Sequence, residues 1–205
     1  MTSIAKKITK RLSAYPKGDR VATPKDFLDL GSRAAVDQAL SRLVRAGKVR
    51  RVGRGLYDIP RISRILNAPA PVSVDAAIDA VARRNGSRVA PSGATAAHAL
   101  GLTNLVPAHF SYITDGPSRT IKIGQYKVRL RHVAPAMMQW ADQPAGPAVF
   151  ALQWLGENAA RDPSVIARIR ARLPKEVKKN LVRKKGCLPA WMLPVVDTIA
   201  ETAAA

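Results

Sequence analysis

Between Ser32 and Ala46 the chain carries Arg33, Asp37, Gln38, Ser41, Arg42 and Arg45, and a few residues further on Arg50, Arg51 and Arg54. These are polar groups suited to recognition rather than to bond breaking. An arginine guanidinium can donate two parallel N–H bonds to O6 and N7 of guanine, and a glutamine amide can bind N6 and N7 of adenine in the same paired manner. Arg33, Gln38 and Arg42 are therefore expected to read bases. Ser32, Ser41, Arg45 and Arg54 are expected to touch the phosphate backbone.

Such side chains need a rigid carrier. Val36, Leu40, Leu43 and Val44 recur at a period of 3.6, which predicts a helix with one apolar face and the polar residues above on the other. Ser32 is its expected N-cap and Gly47 its stop. A preceding helix is predicted to start at Thr23-Pro24-Lys25-Asp26, with a Thr cap, Pro at the first position and an acid at the third. It carries Phe27, Leu28 and Leu30 and stops at Gly31. A first helix, about Ser3 to Ala14, places Ile4, Ile8 and Leu12 four apart and is ended by Pro16 and Gly18. Arg20-Val21-Ala22 is expected to add a short strand. After the polar helix, Lys48–Val52 and Leu56–Pro60 read as two strands around Gly53-Arg54-Gly55. Glycines there allow positive φ and close approach to phosphate, and Arg54 at the tip can enter a minor groove or clamp a phosphate. Helix, turn, helix and basic hairpin in this order predict a winged helix-turn-helix with its third helix in the major groove. The opposing readings are a merely solvated basic face, or a winged fold that docks only protein.

Charge places the nucleic-acid surface in the same region. The chain has 205 residues with 34 Lys+Arg, 14 Asp+Glu and a net charge of +20. Residues 1–61 hold 15 basic and 5 acidic residues; residues 62–205 hold 19 and 9. Equal surpluses on unequal lengths make the first segment more than twice as dense. Such a surplus draws polyanions, because each cation that neutralises a phosphate releases counterions. The lone Cys187 excludes an internal disulfide and a thiolate zinc site, and fits a reducing cytoplasm, with the protein held at the nucleoid. The N-terminus lacks the apolar run of a signal peptide, and no apolar stretch is long enough to span a membrane.

The stretch Asn67-Ala68-Pro69-Ala70-Pro71 reads as a connector, so a DNA-binding domain is expected over 1–66 and a second domain over 67–205. The second domain is expected to open with a helix from Ser73 to Asn85, stopped by Gly86, and a short helix from Gly93 to Leu100. Three strands follow, Phe110–Thr114, Arg119–Ile123 and Tyr126–Val133. Helices are expected at about 147–158, 163–173, 174–185 and 189–203. The fold class is α+β.

The run from Ser32 to Gly47, followed by Arg50 to Tyr57, resembles the AbiEi antitoxin family, in particular a short branch of it. Pro91 to Leu102, Thr114 to Arg119 and Leu188 to Met192 extend the likeness over nearly the whole chain. The resemblance implies a winged helix joined to a C-terminal antitoxin domain. It also implies repression of the protein's own operon and neutralisation of a co-encoded nucleotidyltransferase-like toxin. A stand-alone winged-helix regulator without a toxin is the alternative, and a basic RNA-binding protein a third. Only 5% of residues are aromatic, which argues against base stacking.

Ten basic residues lie between Arg161 and Lys185. Lys178, Lys179, Arg183, Lys184 and Lys185 are the candidates for binding a partner, whether an acidic toxin surface or more DNA, against a solvated helical face. Neither a metal nor a cofactor is expected. His98, His109 and His132 fall on separate elements, and Asp75, Asp79, Asp142, Glu157 and Asp162 are scattered on helices, whereas a metal-dependent nuclease needs clustered carboxylates. The sequence therefore argues for a binding protein and not an enzyme. It leaves the oligomeric state open.

Overall fold

The protein was analysed as a computed structural model that describes residues 3–16, 20–63, 67–104 and 109–201. The fold is α+β. Its contacts divide the chain into two units, Met1–Ser87 with Thr120–Val128, and Arg88–Arg119 with Arg129–Ala205.

The first unit begins with α1 (Ile4–Ser13), whose cap is the Ser3 hydroxyl accepting from the Lys6 N–H. Gly18, expected to end this helix with Pro16, lies outside the described residues. The segment Pro24–Leu30 is a 3-10 helix and not the α-helix expected of it. Only seven residues separate the Thr23 cap from Gly31, and helical pieces that short commonly adopt the tighter form. The start signal is nonetheless used. The Asp26 carboxylate accepts from the Thr23 N–H at 2.7 Å and from its hydroxyl at 3.1 Å. Next comes α2 (Arg33–Arg45), capped by the Ser32 hydroxyl accepting from the Ala35 N–H. Ile8 and Leu12 from α1, Phe27 from the 3-10 helix, and Val36, Leu40 and Leu43 from α2 form one buried cluster with Val49. The apolar period of α2 thus faces this cluster. The burial of these side chains, each worth about 1.5–3 kcal/mol, holds the three helical pieces together.

Gly47, at φ +65°, turns the chain out of α2 and lets the Lys48 and Val49 N–H groups donate back to the Leu43 carbonyl. The antiparallel strands β1 (Arg50–Gly53) and β2 (Leu56–Asp58) follow directly, with Arg50 opposite Asp58 and Arg51 opposite Tyr57. The expected Arg20–Ala22 strand shrinks to a single bridge, in which Ala22 and Tyr57 exchange both backbone bonds at 2.8 and 2.9 Å.

The connector behaves differently from its composition. β3 (Ile62–Ser63) and β4 (Ala68–Pro69) pair antiparallel, and the Ala70 N–H donates to the Arg61 carbonyl. The first unit then runs on through α3 (Val74–Asn85) to Ser87, so the division after residue 66 is displaced. Two arginines of α3 explain the shift: Arg83 donates to the Val21 carbonyl and Arg84 to the Arg54 carbonyl, both at 2.9 Å. Proline composition signals an irregular path, but these bonds decide to which body the helix belongs.

The second unit contains β5 (Val89–Pro91), a short strand the sequence did not signal, paired antiparallel with β6 (Phe110–Thr114). β7 (Arg119–Ile123) and β8 (Tyr126–His132), of which Thr120–Val128 counts with the first unit, complete the sheet order β5-β6-β8-β7. Among the described residues the α-helices of this unit are α4 (Gly93–Ala99), α5 (Pro135–Met138), α6 (Gly146–Ala160), α7 (Pro163–Arg172), α8 (Lys175–Arg183) and α9 (Met192–Ala200). α6 is broken at Gly156, whose φ is +77°. Trp140, Phe150, Leu152, Ile169, Leu181, Met192 and Ile199 are among the buried residues of its core. The backbone of α6 meets the start of α4 so closely that a Cβ on Gly93 would stand 2.4 Å from the Phe150 carbonyl oxygen. No described helix is long and apolar enough to cross a membrane.

Candidate nucleic-acid interface

The exposed half of α2 carries the side chains singled out above. Arg33, Asp37, Gln38, Ser41, Arg42 and Arg45 are all exposed, while Val36, Ala39, Leu40 and Leu43 on the other half are buried. Two of them are held by neighbours one turn away. Arg33 Nε donates to Asp37 at 2.8 Å, and Arg42 Nη2 donates to Gln38 Oε1 at 3.3 Å. Pairs at this spacing order long side chains while using only part of each guanidinium's five donors. Ser32 accepts the cap bond at 3.3 Å, which still leaves its O–H able to donate.

The hairpin separates its arginines into two kinds. Arg51 and Arg54 are exposed; Arg51 Nε leans on the Gly53 carbonyl at 3.4 Å. Arg50, grouped with them from the sequence, is committed inside the protein. It donates to both oxygens of Asp58, at 2.9 and 2.6 Å, and to the Ala70 carbonyl at 2.8 Å. Asp58 is fully buried, and a buried carboxylate must have a partner. The hydrogen bonds that Arg50 donates to Asp58 favour the charged guanidinium and raise its pKa further, although partial burial opposes this. Arg50 is accordingly withdrawn from the candidate contacts. Sequence spacing alone misses this pair: a two-residue turn at Arg54-Gly55 would set Arg50 opposite Ile59, and it is the bulge between Arg51 and Gly53 that brings Arg50 opposite Asp58.

Other cations near the start of the interface are similarly occupied. Arg11 forms a paired clamp on Asp29, at 2.7 and 2.6 Å, and also donates to the Asp26 carbonyl. Arg20 stacks on Tyr15 at 4.0 Å from the ring centre. Lys48, which sequence reasoning passed over, is exposed immediately after α2.

The proposed partner-binding residues of the second unit cluster in part. Lys178, Lys179 and Arg183 line one groove of about 420 Å³ with Lys175, Val182 and Ala200. Lys179 is paired with Glu176 at 2.9 Å. Lys184 and Lys185 do not line that groove, and Lys185 is paired with Asp197 across to α9. Trp154 is exposed, whereas Trp140 is buried.

A family model matches residues 7–181 of the chain, spanning both units. The protein belongs to DUF6088, a family of unknown function. The match covers α2, the β1–β2 hairpin, the sheet and most of α8. A comparison with curated proteins finds no match.

Proposed function

We propose that this DUF6088 protein binds duplex DNA through a winged helix-turn-helix, with α2 lying in the major groove and the β1–β2 hairpin as its wing. One observation carries the reading. Arg33, Gln38, Ser41, Arg42 and Arg45 share the exposed half of a helix whose other half anchors it to a packed core. A thirteen-residue helix is about 20 Å long, enough to follow a groove with several side chains in reach of base edges. Arg33, Gln38 and Arg42 read bases; Ser32, Ser41, Arg45, Arg51 and Arg54 hold the backbone. Asp37 orients Arg33 and repels misplaced phosphates.

The likeness of the Ser32–Gly47 and Arg50–Tyr57 runs to AbiEi antitoxins supports a further step. In this reading the protein represses its own operon and counters a nucleotidyltransferase-like toxin encoded beside it, with the α8 groove as the surface for that partner.

The test is binding of the full chain to duplexes from its own upstream region, mapped by footprinting. Arg42→Ala is expected to cost about 1–3 kcal/mol on the footprinted site and much less on random duplex. Equal losses on both would reduce Arg42 to a phosphate contact. Absence of any duplex binding would end the reading, and a neighbouring gene with no nucleotidyltransferase character would remove the toxin from it.

A further inference from the structure

A second basic feature of the first unit lies apart from the exposed face of α2. The hairpin β1–β2, the end of α3 and the Thr120–Gly124 segment enclose a cleft of about 770 Å³. Its floor includes Val52 and Val81, both buried. Four cations line it, Arg51, Arg54, Arg84 and Lys122, and none of its described lining residues is acidic.

The walls are fixed by backbone. The Gly124 N–H donates to the Val52 carbonyl at 2.7 Å, which ties the two hairpins together. A Cβ on Gly53 would stand 2.9 Å from the Lys122 carbonyl oxygen, so these strands approach as only glycine permits. Arg84 Nη1 is anchored on the Arg54 carbonyl at 2.9 Å. Gly55, at φ +67°, brings the turn to where a Cβ would stand 3.2 Å from that same Nη1. Arg84 is thus held at the cleft by its own bond and does not sweep through solvent.

We propose that this cleft is a phosphate-binding site. Four like charges around one concavity repel each other, and an anion seated among them relieves that repulsion. A concave wall with an apolar floor also focuses the field and strengthens the attraction. Three guanidiniums offer paired donors suited to phosphate oxygens, and Lys122 adds a point charge from a different element. The phosphate can belong to the DNA backbone, continuing the track from Arg54, or to a small phosphorylated molecule. In the second case the molecule competes with DNA for Arg51 and Arg54, and each ligand weakens the other.

Two titrations of the full chain, at constant ionic strength, test this. The first uses inorganic pyrophosphate, followed by the side-chain Nε–H signals of Arg51, Arg54 and Arg84. They are expected to shift together and saturate. Lys122→Glu is expected to weaken that binding roughly tenfold, since it removes an ion contact and installs a repulsion of similar size. Lys6→Glu, the same charge change on α1, is expected to leave it within about twofold. Lys122 is exposed on its strand, and Lys122→Gln provides a milder second variant. The second titration uses a random duplex of about two helical turns. If the phosphate is that of DNA, Lys122→Glu lowers affinity and flattens the salt slope by about one. Loss in the duplex titration assigns the site to the DNA backbone. Loss with pyrophosphate alone assigns it to a small molecule. Loss in neither overturns the proposal. The duplex arm rests on the α2 reading, whereas the pyrophosphate arm does not: if Arg42→Ala leaves DNA binding untouched while pyrophosphate still saturates these arginines, that reading falls and the cleft stands.

Discussion

Two stretches of this chain are dense in positive charge, α2 with its hairpin and α8 with the residues that follow. They differ in which cations they use and in what surrounds them. α2 and the hairpin present arginines: Arg33, Arg42, Arg45, Arg51 and Arg54 are exposed, with Gln38 among them. α8 and its continuation present mainly lysines, of which Lys175, Lys178 and Lys179 line a groove together with Arg183 and the exposed Val182. A guanidinium fork can match two acceptors at once, but an ammonium is a point charge on a flexible stem. Equal charge therefore does not mean equal discrimination. In the reading proposed above, the first region tells one arrangement of acceptors from another, while the second offers an acidic surface general attraction and an apolar seat.

The largest expected effect breaks the first region internally. Arg50 and Arg54 are four residues apart in one hairpin, and only Arg50 is tied to a buried carboxylate. Arg50→Ala leaves Asp58 buried and unpaired, and should cost about 3 kcal/mol in urea unfolding. Arg54→Ala should leave unfolding within about 0.5 kcal/mol and lower DNA affinity instead. Similar stability losses for the two variants would mean that the distinction between them is mistaken.

A smaller effect sets the two regions against each other directly. Arg42→Ala is expected to lower the ratio of specific to random DNA binding by about tenfold. Replacing Lys178 and Lys179 together by Ala should leave that ratio within about twofold, even if both affinities fall slightly. The measurement is a pair of competition titrations with the footprinted and the random duplex. An equal fall in the ratio for both variants would erase the contrast between forks and point charges.

What the sequence made legible was largely local. Ser32 caps the helix that follows, as its position before the apolar repeat requires, because a cap bond spans only three residues. Gly47 and Gly86 take the positive φ expected of helix stops. The alternation of β8 puts Val128 and Leu130 inside, as its period of two requires. The losses were non-local. Arg83 and Arg84 bind carbonyls 62 and 30 residues away, and this moved the boundary from residue 66 to Ser87. Three residues, one of them proline, are too short a stretch for Val89–Pro91 to announce a strand. The exposed half of α2 was legible because amphipathic spacing alone specifies it. The cleft was not, because Arg84 and Lys122 reach it from elements that nothing in the local pattern brings together.

The smallest expected effect compares a charged clamp in each unit. In the first, Asp29 is held below the ordinary carboxylate range by hydrogen bonds from Arg11. In the second, burial pushes the Asp115 carboxyl up, but bonds from the Arg88 side chain and backbone N–H, at 2.9 and 2.8 Å, pull it further down, and the net shift is downward. A carboxyl whose pKa is depressed by folding contributes stability above its unfolded value and loses it as acid is added. Asp115→Asn should therefore lower Tm by an amount corresponding to under about 1 kcal/mol between pH 5 and pH 7. The gap from the parent protein should begin to close as pH falls below about 4, where the unfolded chain's carboxyl takes up a proton, and should vanish only in stronger acid, once the folded carboxyl is protonated too. Asp29→Asn should move in the same direction. Its carboxylate lies in open solvent, so raising the salt concentration should shrink its effect more than that of Asp115→Asn. A gap for Asp115→Asn that widens in acid would mean that the burial cost outweighs Arg88, and that the clamp joining the start of β5 to the end of β6 is not held by charge.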